Sequence, residues 1–66
     1  MLTDQERMNN AFKELLFQEE QLGKKYADMA RQITDPKIQQ MLQGMEQAAR
    51  NNYGTLSQKM GSLGIV

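Results

Sequence analysis

At 66 residues, with no cysteine and no histidine, the chain can bury only a small core, and it lacks disulfides, thiolate chemistry and the commonest metal ligand and general base. Eight basic residues balance eight acidic ones, so no net field steers the chain toward nucleic acid or an anionic membrane, and neither is expected as a partner. No apolar run suffices for a membrane span or the core of a secretory signal, so a soluble cytoplasmic protein is expected.

The first element announces its start. Thr3 followed three residues later by Glu6 matches a capping box, and Asp4 adds negative charge at the positive end of a helix. Up to Ile33 there is no proline, and Gly23 is the one poor helix former among Glu, Gln, Lys, Leu, Met and Ala, which predicts one helix over about 4–33. Thr34-Asp35-Pro36 breaks it: Asp35 suits an N-cap, Pro36 suits a first helical position, and the residue before a proline is pushed out of helical geometry. A turn at 34–35 is followed by a second helix over about 36–60, with Gly61 placed to terminate it. The tail, 61–66, is left open between a frayed end and an apolar hook.

Helical spacing from Met8 gives Phe12, Leu15, Glu19, Leu22, Tyr26, Met29 and Ile33 as one stripe of the first helix. On the second, Ile38, Met41, Leu42, Met45, Ala49, Tyr53, Leu56 and Met60 form its counterpart. A connection this short predicts an antiparallel hairpin in which residues whose numbers add to about 67–70 lie at one height. Phe12 is then level with Leu56, Leu15 with Tyr53, Leu22 with Met45 or Glu46, Tyr26 with Leu42, and Gly23 roughly with Gly44.

Two helices cannot enclose a core. The expected fold is therefore all-α: an antiparallel two-helix hairpin that dimerises into a four-helix bundle about a two-fold axis. Its expected dimer core is Phe12, Leu15, Leu22, Tyr26, Met29, Leu42, Met45, Tyr53 and Leu56. Leu16, Ala27 and Ala30 widen the first-helix band, while Phe17 lies off it among polar residues. The methionines fall at core spacing, where they act as soft filler, and the two tyrosines are expected to put their rings in the core, so no cofactor is expected.

Glu19 is the anomaly, a carboxylate inside the apolar stripe. The height rule sets it level with Ala49 and Arg50, and an ion pair with Arg50 would relieve the cost of burying its charge. Asn52 lies near enough to the stripe to hydrogen-bond across a dimer and fix its register.

Glu19, six intervening residues and Tyr26, then Asp35-Pro36, then the run LQGMEQAARNNYGTL, together resemble the spore coat F family of spore-forming bacteria. The resemblance implies a ferritin-like four-helix bundle and a structural or accessory, non-enzymatic role. It implies a place in the spore coat or the cytoplasm of a sporulating cell, with a homodimer and other coat proteins as partners. Metal-binding ferritin-like relatives use a Glu on one helix and a Glu-x-x-His pair on the next. By this resemblance the ligand positions fall on Glu19, Glu46 and Ala49, so the histidine is replaced. Two chains would still gather four carboxylates, a set suited to a hard cation, which gives a ferritin-like metal-binding protein as one alternative. A regulatory hairpin that docks on another helical protein is a second.

Overall fold

The computed structural model describes residues 1–65 and consists of two α-helices, α1 (Asp4–Gln32) and α2 (Pro36–Leu63), with no strand among the described residues. The expected helical hairpin is the fold observed. Thr3 caps α1 reciprocally: its Oγ1 accepts from the Glu6 N–H at 3.1 Å while its own N–H donates to Glu6 Oε1 at 3.3 Å. Asp35 caps α2, its Oδ1 accepting from the N–H groups of Lys37 at 2.9 Å and Ile38 at 3.2 Å, with Pro36 in the first helical position. Both caps satisfy backbone donors that a helix start leaves without partners.

Ile33 is already extended, so the connection is Ile33, Thr34 and Asp35, one residue longer than expected. The carbonyls freed at the end of α1 are taken up by a side chain. Gln39 Nε2 donates to the oxygens of Ala30 at 3.1 Å and Ile33 at 3.0 Å, tying the first turn of α2 to the last turn of α1.

α2 does not stop at residue 60. It continues through Gly61 to Leu63 and closes at Gly64, which is left-handed with φ 73°. The Gly64 N–H donates to Gly61 O at 3.3 Å and the Ile65 N–H to Met60 O at 2.8 Å, the paired bonds of a Schellman cap. Such a cap carries an apolar contact, and Ile65 and Met60 are both buried. This is why the second available glycine is used: stopping at Gly61 would not fold Ile65 back over Met60. The tail as far as Ile65 is a hook; Val66 lies outside the described residues.

The register differs from the expected one. Asn52 bonds Glu19, and Gly23 faces Ala49 and Arg50, so level residues have numbers adding to 71–73. The three-residue connection carries the chain past the end of α1, and the first turn of α2 overhangs it. Gly44 does not meet Gly23; a Cβ there would have nothing within 4 Å.

The seam is also rotated by about one residue. On α1 it is formed by Phe12, Leu16, Glu19, Gly23, Tyr26 and Ala30, all buried or half-buried. On α2 it runs through Gln39, Leu42, Glu46, Ala49, Leu56 and Met60. Small residues therefore mark the closest approach. A Cβ at Gly23 would lie 3.9 Å from both Ala49 Cβ and Arg50 Cγ, an ordinary contact. Gly23→Ala should thus raise stability by about 0.5–1 kcal/mol through helix propensity, seen as a thermal midpoint several degrees higher. A lowered midpoint would mean that the helices need the bare backbone at this point.

Candidate interaction face

Rotating the seam leaves much of the expected core outside it. Leu15, Leu22 and Met29 on α1, and Ile38, Met41 and Met45 on α2, are between 39% and 53% exposed. With about 100° per residue, each band stands roughly 80° from its own seam, in the same rotational sense on both helices. Equal senses on antiparallel helices place both bands on the same side of the hairpin. They form one apolar face.

The hairpin is also a single layer, measuring 49 × 23 × 12 Å with a radius of gyration of 15.1 Å, against about 11 Å for a compact chain of this length. Domains ordinarily stack at least two layers around their core. Of the nine expected core residues, Leu42 is buried, and Phe12, Tyr26 and Leu56 are half-buried within the seam. Leu15, Leu22, Met29 and Met45 lie on the open face, and Tyr53 borders a cleft on the polar side. Within one hairpin these nine residues do not make one core.

That cleft, about 360 Å³, is lined by Glu19, Glu20, Gly23, Lys24, Arg50 and Tyr53. Its cations are already engaged: Lys24 Nζ lies 3.3 Å from Glu20 Oε1, and Arg50 pairs with Glu46. The expected Glu19–Arg50 pair is not made within the hairpin. Arg50 Nε donates to Glu46 Oε2 at 2.8 Å and Nη2 lies 2.6 Å from the same oxygen. An i,i+4 partner on its own helix needs no interhelical alignment, and the register sets Arg50 nearly a turn away from the height of Glu19.

Glu19 turns instead toward Asn52, whose Nδ2 donates to its Oε1 at 3.4 Å. By helical position Asn52 falls within the apolar band of α2 and Glu19 within the seam of α1, so the bond runs from the seam to the edge of the apolar face. Sequence reasoning singled out both residues but not the bond between them, because that bond depends on the register.

Glu19 and Glu46, the carboxylates that the resemblance assigns to a metal, thus have different partners within one hairpin. Among the described residues no group of three acidic side chains is placed to hold a metal ion. Ala49, at the position of the replaced histidine, is 4% exposed and packed against Gly23. No helix among the described residues is long and apolar enough to cross a membrane. The arrangement offers an apolar contact surface with one polar pair reaching it from the seam. No protein-family model, curated protein or solved structure matches the chain.

Proposed function

We propose that this chain is a non-enzymatic building unit that works by self-association, two hairpins closing their apolar faces on each other to make a four-helix bundle. Surface area carries this reading. A compact folded chain of 7.6 kDa exposes about 4,300 Å², whereas the hairpin exposes 5154 Å². The difference, about 850 Å², is close to the roughly 800 Å² that each partner contributes to a stable protein interface. One further layer of the same shape would cover it, and a second copy is the nearest supply of such a layer.

The resemblance to spore coat F proteins supports placing this unit in the coat, or in the sporulating cell that builds it, with other coat proteins as further partners. A neutral, self-pairing bundle has the physical property that a packing unit needs.

Native mass spectrometry of untagged protein tests the reading directly. A dimer without bound metal is expected at micromolar concentration. A monomer that stays folded would overturn it, and a dimer that retains Mn²⁺ or Fe²⁺ would favour the carboxylate alternative instead.

A further inference from the structure

We infer that the two hairpins pair with their turns at the same end, oriented by a closed ring of hydrogen bonds made by Glu19 and Asn52 of both copies. This rests on the self-association proposed above and settles how the faces meet. The Glu19–Asn52 bond spans the two helices at one height, close to the middle of α1. Each group is half used. The amide of Asn52 has two hydrogens and the carboxylate of Glu19 two oxygens, and among the described residues neither makes a second hydrogen bond or ion pair.

Two symmetric ways exist to close such a face on a copy of itself. If the two-fold axis runs along the helices, α1 of one copy lies against α2 of the other, and level residues meet level residues. Glu19 then faces the second copy's Asn52, and Asn52 faces the second copy's Glu19. Each amide spends its remaining hydrogen on a carboxylate oxygen that otherwise has no partner, and the ring closes with both amide hydrogens and both carboxylate oxygens of each copy engaged.

If the axis instead crosses the helices, α1 lies against α1. With the axis at the height of Glu19 the two carboxylates oppose each other; with the axis elsewhere each is pressed against apolar side chains. Both outcomes keep the bond within each hairpin but leave the second oxygen of each carboxylate without a donor in a dry interface. Opposed turns are also what a ferritin-like bundle requires, because its single long crossover carries the chain from the open end of one hairpin to the other end of the bundle. The polar pair therefore selects a different arrangement from the one implied by the family resemblance.

The chain has no cysteine, so Thr34→Cys, in the exposed turn, accepts a single spin label. Turns at one end predict a label-to-label distance under about 25 Å, since packed helices lie about 8–10 Å apart and the label arms add the remainder. Turns at opposite ends predict a distance near the 49 Å length of the hairpin. Adding Glu19→Leu and Asn52→Leu to the labelled protein should keep the dimer and yield both distances. A labelled parent that dimerises with only the long distance would overturn this inference and leave self-association standing. A short distance that persists alone in the triple variant would remove the ring as its cause. A parent that stays monomeric would overturn both.

Discussion

If two hairpins close on each other as proposed, Leu22→Lys is expected to turn the dimer into a folded monomer. Leu22 lies 39% exposed on the open face, between Leu15 and Met29, so in the hairpin alone a lysine there meets water and costs little. Lysine is also a good helix former, and α1 should keep its length. In the proposed dimer the same substitution sets two ammonium groups into apolar surroundings, where the one carboxylate three or four positions away on the same helix, Glu19, is already engaged by Asn52. About 3 kcal/mol of lost association free energy, a conservative figure for charges buried without partners, weakens the dimer by more than 100-fold. Sedimentation equilibrium reads this as a shift from dimer mass to monomer mass. Thermal melts provide a second reading, because the midpoint of the parent should rise with protein concentration while that of the variant should not. Phe17→Lys is the control. Phe17 is 60% exposed on the outer edge of α1, away from the face, and its replacement should leave the association constant unchanged within a factor of about two. An unaltered dimer in Leu22→Lys would show that the copies meet through another surface.

What the sequence disclosed of this fold, and what it withheld, follows from the range of the interactions involved. Thr3 with Glu6, and Asp35 with Pro36, are local signals whose partners lie within three residues, and both caps form as the spacing predicts. Period and length were enough for two helices and a hairpin. Register was not local. It depends on how three extended residues cross from one helix to the other and on Gln39 reaching back to Ala30 and Ile33, and no periodicity encodes that crossing. The end of α2 was ambiguous for a related reason: Gly61 and Gly64 are both competent stops, and the choice turns on where Ile65 lands.

The expected seam was displaced because large apolar residues dominate a hydrophobicity pattern while small ones permit close packing. Gly23, Ala30 and Ala49 are buried in the seam, and Leu15, Leu22 and Met29 are turned outward. The pattern therefore located the apolar surface of the chain but could not divide it between contact within the hairpin and contact beyond it. Glu19 illustrates the point. It was conspicuous as a charge in a leucine stripe, and its partner changed from Arg50 to Asn52 once the register was known.

Ala49→His, the substitution that would complete the Glu-x-x-His pattern of metal-binding ferritin-like proteins, is expected to damage the hairpin and not to rebuild a site. Ala49 is 4% exposed where the helices approach each other at Gly23, and that contact leaves no space for an imidazole. Overpacking of this kind costs about 1–3 kcal/mol, which in a domain this small lowers the thermal midpoint by roughly 5–20 °C. The ring nitrogens would also enter the seam beside apolar groups, adding a desolvation cost unless the helices part. Neither cost is returned by a cation, because Glu46 is held by Arg50 and Glu19 by Asn52. Melts of the variant with and without Mn²⁺ or Zn²⁺ should therefore coincide. A ligand that binds only the folded state raises the midpoint by mass action, so a metal-dependent rise in Ala49→His, absent from the parent, would show that Glu19 and Glu46 can still be drawn onto one ion. It would also require the Arg50–Glu46 pair to break on metal binding. Arg50→Gln in the same background should then strengthen the rise if the carboxylate reading is correct, and leave both melts superimposed if the pairs seen in the hairpin are the settled state of these side chains.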